Sequence, residues 1–598
     1  PPGGSVAVQA DGSLLVDVSA VVEQADNTSS KNAADDPVTL TVVNNALKNI
    51  CDEMASAMIR TSHSPIFSES RDFSCILFDR KLRMVGQAEM NPAIICAGLH
   101  TIPLCVQELG EDSFEPGDVI VHNDPYRGQC HMPEHMFMKP VFLGDELIGY
   151  AANIAHIGEI GGMAVGSFAS TATEIFQEGL RLPPVKIMAR GEYVKDIWRI
   201  IMTNHRTPDT TWGDFHALLA SLTTAERRLQ ELVGRLGVDK FEDIADRLID
   251  HAERWMRSEI AKLPNGVYEF EDYFEDDGVE AKPYYFRSKV HIRDDDIVVD
   301  LSNSDPQARG PINVSYVATA AAGSTAILQS IGARDVPLNS GCFKPIKVVA
   351  PPGTVANPVF PAPCVAGNTE GQPRIISAVQ GALAKAIPDR IGAAEGGTAC
   401  NILFGGTHPD TGDYYTHYQL DGGGWGGRLG MDGNSAQCIA HGSTIRATPI
   451  EVFETRYPMR TVEYSLRADS GGAGKWRGGV GVRRLFEVTA PEITVSALLD
   501  RTDVGPWGFR GGQSGGPAGL FVRFAGTDEF KTFVDAFGTV SPTKFVNIRM
   551  TLGDQLLMLS PGGGGYDEPA DRDDAMLKED LLDGFVTCDG LDAYGRSR

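Results

Sequence analysis

Val43, Leu47, Ile50, Met54 and Met58 recur at steps of three and four, the stripe of an amphipathic helix that Asp35-Asp36-Pro37 opens. From residue 67 to about 165 the pattern changes to short alternating segments broken by Gly, Asp and Pro, which predicts strands. Two long helical stretches follow. Leu218, Leu222, Ala225, Leu229, Leu232 and Leu236 form one stripe, and Ile244, Leu248 and Met256 the other. Beyond Pro264 strands return, as in Val290-His291-Ile292 and Ile297-Val298-Val299, with small-residue helices expected over 318–328 and 375–386. From about residue 451, glycine clusters separate β-like runs at 493–498 and 521–524.

These patterns predict an α+β fold: a multi-layer mixed architecture with a β-hairpin region, a helical middle segment and a β-rich C-terminal half. The breaks divide the chain into an N-terminal extension (1–36), an α+β region (37–262), a central α/β region (263–460) and a glycine-rich, β-rich C-terminal region (461–598). The extension is rich in Ser, Asn and Asp and reads as an extended or loosely attached arm. No repeat at solenoid or propeller periods is found.

Composition narrows the class. Of 598 residues, 42% are hydrophobic and 22% charged, the proportions of a globular chain. No run approaches the roughly 20 apolar residues of a membrane span, and the first residues lack the basic start and apolar run of a signal peptide. Lys and Arg number 53 against 79 acids, a net charge of −26 that disfavours nucleic acid and anionic membranes as partners. The ten cysteines are scattered and form no Cys-x-x-Cys pair, which argues against a zinc ribbon or a disulfide framework and for a reducing, cytoplasmic setting.

The richest chemistry lies in Asp118-Val-Ile-Val-His122-Asn-Asp124-Pro-Tyr-Arg-Gly128-Gln-Cys-His131-Met-Pro-Glu134-His135. A strand runs into an Asn-Asp-Pro turn, and two histidines and a carboxylate then fall within five residues. Residues 136–142 and 147–155 are mostly apolar and flank Leu143-Gly144-Asp145-Glu146, a hairpin signature. With the turn centred between 144 and 145, paired residue numbers total about 289, so His156 falls opposite residue 133, give or take two. Cross-strand neighbours sit about 5 Å apart. His131, Glu134 and His156 are therefore expected to converge, giving donors for a divalent metal. A lone histidine is more often a hydrogen-bonded core or loop residue, and His122 and His135 stay open as competing ligands. Glu159, in His156-Ile-Gly-Glu159, reads equally as a proton acceptor or a solvated loop acid. Asp72 precedes an apolar strand, but periodicity cannot place it near His131, and alone it reads as a turn acid.

Glycine clusters suggest nucleotide loops only superficially. Gly422-Gly-Gly424-Trp-Gly-Gly427 formally fits the dinucleotide fingerprint but has no clear helix after it. Asp469-Ser-Gly-Gly-Ala-Gly-Lys475-Trp476 fails as a phosphate loop because Asp469 holds the first glycine position and Trp476 replaces Ser or Thr. Tight turns and close backbone approach are the expected roles of these glycines, and no self-contained ATP site is expected.

In order along the chain, several motifs resemble the hydantoinase B/oxoprolinase family. They are Glu69-Ser-Arg-Asp72-Phe-Ser, Asn123-Asp124-Pro-Tyr-Arg-Gly128, His131-Met-Pro-Glu134, His156 with Gly161-Gly162, Glu178-Gly-Leu-Arg-Leu-Pro-Pro184, Gly422 to Gly427, Thr448 to Glu454, Asp469 to Gly474 and Pro561-Gly-Gly-Gly-Gly-Tyr566. The resemblance runs from about residue 37 to 570 and implies a metal-bearing B subunit. An actin-like A-type partner would use ATP to phosphorylate a carbonyl or enol oxygen. The ligand positions implied are His131, Glu134, His156 and, by resemblance alone, Asp72. Glu134 stands where the family's His-x-x-Asp motif has Asp. Zinc is the expected metal, with Mn or Fe as alternatives. Glu159 or Asp124 is the expected proton acceptor. The implied reaction is ATP-dependent hydrolysis of a cyclic amide (hydantoin, 5-oxoproline or a lactam) in a hetero-oligomer. The alternatives are an ATP-dependent ketone carboxylase of the acetone or acetophenone type, and a non-catalytic scaffold whose metal only staples the hairpin.

Overall fold

The computed structural model describes residues 5–8, 14–17, 36–88, 90–332 and 338–596. Within the extension, β1 (Ser5–Val8) and β2 (Leu14–Asp17) form an antiparallel pair; the rest of the expected arm, up to residue 35, lies outside the described residues. Helix α1 (Pro37–Thr61) starts where the Asp36 side chain accepts the Val38 and Thr39 N–H groups, and Pro37 takes the first turn. Its stripe of Val43, Leu47, Ile50, Met54 and Met58 is buried as the spacing predicts.

Next come β3 (Phe73–Asp79), β4 (Met84–Gln87), α2 (Pro92–Leu109), β5 (Val119–His122), β6 (Glu134–Leu143), β7 (Glu146–His156), β8 (Val185–Ala189) and β9 (Glu192–Tyr193). They build a seven-stranded sheet of order β4-β3-β7-β6-β5-β8-β9. Helices α3 (Lys195–Asn204), α4 (Pro208–Leu236) and α5 (Val238–Ile260) follow. Helices α1 and α4 pack together, and both lie on the sheet face that carries Cys75, Phe137 and Ala155.

Helix α2 corrects the expectation of strands throughout 67–165. It carries Pro103 and packs both on the other sheet face and on α6 (Tyr316–Ile331). Burial on two sides makes Ile94, Ile95, Ala97, Ile102, Cys105 and Val106 all core residues, which blurs the helical period.

The middle of the chain adds β10 (Gly266–Phe274), β11 (Tyr284–Arg293), β12 (Asp296–Asp300), α7 (Ser340–Phe343), β13 (Ile346–Val349) and α8 (Gln372–Leu383). Strands β10 to β13 form a sheet in chain order, with β12 and β13 parallel and α8 laid over β10 and β11. The remainder comprises β14 (Asn401–Thr407), β15 (Tyr414–Gln419), α9 (Ile450–Arg456), β16 (Met459–Leu466), β17 (Val482–Val488), β18 (Glu492–Leu498), β19 (Gly519–Arg523), β20 (Lys531–Thr532), α10 (Phe533–Phe537), β21 (Lys544–Thr551), β22 (Gln555–Leu559) and α11 (Asp574–Asp583). Two sheets result, β15-β14-β18-β21 and β16-β17-β22-β19-β20. The fold is thus mixed α+β.

The glycine clusters show the close backbone approach that the sequence predicts, packed on one another rather than forming tight turns. Gly424 N–H donates to Pro561, Gly427 to Gly564, Gly472 to Gly563 and Gly563 to Gly479. A Cβ on Gly424 would stand 1.8 Å from the Gly479 carbonyl oxygen. Glycine is required here because backbone lies directly against backbone. No helix among the described residues is long and apolar enough to cross a membrane, and no disulfide joins the cysteines among them.

A buried charge network ties the C-terminal sheet to the middle of the chain. Asp500 receives Arg374 Nη2 and Lys544 Nζ, each at 2.7 Å, and Lys544 also reaches Asp276 at 3.2 Å. Burial pushes the Asp500 carboxyl up, but Lys544 and Arg374 outweigh it and hold it down at about 2. A carboxyl depressed in the folded state stabilises above its unfolded value near 3.9 and loses that contribution as pH falls towards 2. Asp500→Asn is therefore expected to cost about 3–5 kcal/mol near neutral pH by stranding buried Arg374 and leaving Lys544 with Asp276 alone. The gap from wild type should narrow between about pH 4 and 2, which denaturant unfolding at several pH values measures.

Candidate active site

The site grows from the register of three neighbouring strands. In the β6–β7 hairpin Leu143 faces Glu146, and a bulge between Val141 and Phe142 shifts the pairing by one. Glu134 consequently faces His156, one residue from the position that the sequence arithmetic gives. On the far side of β7, Phe73 pairs with Ala155, and His156 N–H donates to the Asp72 carbonyl at 3.1 Å. Asp72, His156 and Glu134 thus stand in a row across β3, β7 and β6, and paired residues share a sheet face.

Local structure sets each end of that row. A π-turn at Ile66–Ser70 ends in Arg71 with φ of 60°, and this left-handed residue delivers Asp72 to the start of β3. His131 joins through a turn in which Glu134 N–H donates to the His131 carbonyl at 3.2 Å. Its Nε2 lies 3.6 Å from Glu134 Oε1, and its ring centroid lies 5.4 Å from that of His156. His131 Nδ1 meets the Val365 carbonyl at 2.9 Å. A carbonyl only accepts, so Nδ1 carries the proton and Nε2 offers a lone pair to the site.

His131, Glu134 and His156 are almost wholly buried, and Asp72 nearly so. Burial lowers the His131 imidazole to about 4, although its Val365 bond opposes this. Burial, then His131 and His135, push His156 well below the usual range. Burial raises Asp72 to about 6, opposed by the Asn91 amide, whose Nδ2 donates at 2.9 Å. Burial and the neighbouring Asp72 push Glu134 well above the carboxylate range. Among the described residues no arginine or lysine pairs with Asp72 or Glu134, and Glu134 Oε2 and His156 Nε2 have no hydrogen-bond partner. Two imidazoles with carboxylates are donors suited to a divalent cation. As the side chains stand, no three His, Cys, Asp or Glu among the described residues are drawn as close as ligands around an ion. Asn368 Nδ2 instead donates to Glu134 Oε1 at 2.5 Å and approaches His131 Nε2 at 3.3 Å.

Strand alternation separates His135 from the row. His135, one residue beyond Glu134, points to the opposite face, where its ring meets Phe215 at 5.6 Å and His205 at 6.3 Å. His122 Nδ1 lies 3.2 Å from the Asp124 N–H and faces the Leu182 carbonyl.

The two expected proton acceptors are not brought together. Asp124 caps the short Pro125–Arg127 turn through Tyr126 N–H and pairs with Arg127 and Arg181 at 3.3 and 3.6 Å. It borders an open cavity of about 700 Å³ with Tyr126, Tyr316 and Phe360. Glu159 pairs with Arg206 at 3.0 Å and accepts from the Gly161 and Gly166 N–H groups. Burial still raises its carboxyl, with Arg206 the main opposing influence. Glu159 lines a second cavity of about 360 Å³ with Ser64, Thr207, Thr210, Thr448, Ile157 and Tyr418. This is the cavity that adjoins the row: the Tyr418 ring stacks on His156 at 4.7 Å and on Phe168 at 5.0 Å, and its hydroxyl donates to Asn401 at 2.7 Å.

Sequence reasoning missed Asn368, Gln372 and Tyr418. Asn368 sits in a π-turn at Gly367–Gly371, and Gln372 Nε2 fixes its amide by donating to Oδ1 at 2.6 Å. The usable signal was a polar run, Asn368-Thr-Glu370-Gly-Gln372, immediately before the apolar Ile375-Ile376. Polarity reads as surface, yet Asn368, Thr369, Glu370 and Gln372 are all buried.

Residues 36–569 match the family model described as hydantoinase B/oxoprolinase. The chain belongs to this family. It is 33% identical over 576 residues to a protein from Pseudomonas sp. strain NS671 named for a D-/L-hydantoinase B subunit, covering 92% of this chain and 93% of that one. It is 32% identical over 565 residues to the caprolactamase subunit beta of Pseudomonas jessenii, covering 93% and 95%. A crystal structure of ATP-dependent caprolactamase from Pseudomonas jessenii matches with a TM-score of 0.86 at 28% identity, over 94% of this chain and 96% of that one. A nucleotide-free acetone carboxylase structure shares the fold, with a TM-score of 0.84 at 17% identity, over 94% and 80%.

In the presence of a chelator, Glu134→Gln is expected to raise stability by about 1–3 kcal/mol, because a buried carboxyl without a cation is replaced by a neutral amide. A carboxyl raised in the folded state loses stability as pH climbs past its unfolded value near 4.3, so the gain should be larger at pH 8 than at pH 5. Thermal unfolding at the two pH values measures it; an equal loss at both would contradict the account.

Proposed function

We propose that this chain is the B-type subunit of an ATP-dependent cyclic-amide hydrolase, with a divalent metal, zinc foremost, held by His131, Glu134 and His156 and joined by Asp72. The observation that carries the reading is the buried cross-strand row, whose Glu134 Oε2 and His156 Nε2 lack partners. When bound, a divalent ion at such residues supplies Lewis acidity and lowers the pKa of water towards neutrality.

An A-type partner uses ATP to phosphorylate the amide oxygen, which makes the ring carbon electrophilic; water adds there, the C–N bond breaks as the ring nitrogen takes a proton, and a second water hydrolyses the resulting acyl phosphate to carboxylate and phosphate. This chain receives the activated ring in the 360 Å³ cavity, whose Ser and Thr hydroxyls suit a small polar substrate. Tyr418 forms the wall between cavity and histidines and shields them from bulk water. Glu159 takes up the proton of the attacking water at Oε2, the oxygen that accepts from Gly166 N–H, while Arg206 orients the carboxyl through Oε1. Asp124, held by its cap and two arginines in the other cavity, organises the Asn123–Gly128 turn. Two relatives above 30% identity carry hydantoinase and caprolactamase names, whereas the likeness to acetone carboxylase is one of fold, so the hydrolase reading is preferred to ketone carboxylation.

Purified with its A-type partner, the chain is expected to hydrolyse hydantoin, 5-oxoproline or a lactam with ATP consumption. His131→Ala should lose bound zinc and reduce turnover at least about 100-fold. Full turnover by metal-free protein, or bicarbonate-dependent consumption of a ketone with no amide hydrolysis, would overturn the reading.

A further inference from the structure

Glu178 belongs to none of the groups discussed so far, yet it is fully buried at a junction that reaches the site from two sides. It follows the short Ile175–Gln177 turn, and its Oε1 accepts two consecutive peptide N–H groups, Cys364 at 2.7 Å and Val365 at 2.8 Å. The carbonyl of that same Val365 accepts from His131 Nδ1 at 2.9 Å. A carboxyl oxygen, the backbone of one residue and one imidazole are therefore linked in series. On the other side, the loop that leaves His156 lies against the Glu178 backbone. Gly162, with φ of 86°, makes this possible, since a Cβ there would stand 2.7 Å from the Glu178 carbonyl carbon. Met163 N–H donates to Gln177 and Leu180 N–H to Ile160 in the same contact.

A metal-binding histidine depends on what its other ring nitrogen meets, because that bond fixes tautomer and ring direction. Here the acceptor is a carbonyl in a loop without strand partners, at residues 361–366. That carbonyl's own peptide is held at Ala366 N–H, which donates to the Pro311 carbonyl at 3.0 Å; Glu178 holds the peptide before it, through the Val365 N–H, and so sets the backbone direction from which the carbonyl leaves. We propose that Glu178 is a positioning residue of the metal site: through the backbone of Val365, and together with the Ala366–Pro311 bond, it sets the tautomer and direction of His131. The inference rests on the reading of His131 as a metal ligand.

The test is zinc affinity of the folded full-length chain, measured by competition with a chromophoric chelator, alongside thermal unfolding of the metal-free protein. Glu178→Ala removes the acceptor and is expected to weaken zinc binding about 10- to 100-fold. Glu178→Gln keeps an oxygen able to accept both N–H groups, so it should stay within a few-fold of wild type. Should the alanine variant fail to fold, Glu178→Asp, shorter by one methylene, carries the same expectation of weakened binding. A folded Ala or Asp variant with wild-type zinc affinity overturns the proposal, as does a Gln variant as weak as Ala. His131→Ala serves as the control: if it binds zinc as wild type does, the ligand reading itself has failed, and this inference with it.

Discussion

The antiparallel register of β6 against β7, continued across to β3, is the constraint on which the rest of the site depends. It places two carboxyls and an imidazole in one buried row, and the His131 turn adds a second imidazole. Such a row is unfavourable on its own, because burial disfavours both the carboxylate and the imidazolium and no lysine or arginine among the described residues pairs with it. Most of what surrounds it makes that placement possible: the π-turn before Asp72, the amides of Asn91 and Asn368, and the Val365 carbonyl behind His131. The divalent cation proposed for the site would answer both deficits at once.

A single residue step separates the ligand row from the hydrophobic core beneath it. Glu134 and His135 are neighbours in sequence, but pleating sends one to the site and the other among Phe215 and His205. The bulge at Val141–Phe142 matters for the same reason: without its one-residue shift, Glu134 would not face His156. Glu159 and Asp124 show the complementary lesson. Both are buried acids close in sequence to the ligand motif, yet they open onto different cavities, and only that of Glu159 shares the Tyr418 wall with His156.

Much of this was legible because it follows from local periodicity. The stripes of α1, α4 and α5, the β6–β7 turn and the spacing of His131, Glu134 and His156 all reside in short stretches of sequence. Asp72 was not derivable that way, since β3 pairs with β7 across an intervening helix and hairpin, and only resemblance pointed to it. Helix α2 escaped notice because burial on two sides erased its period. Asn368 and Tyr418 come from strands and turns more than two hundred residues away, and the buried polar run around Asn368 looks like surface in sequence. The glycine clusters were legible as places of close backbone approach, but a preference for glycine does not reveal what the backbone lies against; here it is other glycine backbone.

The most direct test of the central claim is a crystal structure of zinc-loaded protein with anomalous data collected on either side of the zinc edge. The account predicts one peak at about 2.0–2.2 Å from His131 Nε2, His156 Nε2 and a Glu134 oxygen. A peak elsewhere in the chain, or none between these side chains in protein shown to contain zinc, would contradict it.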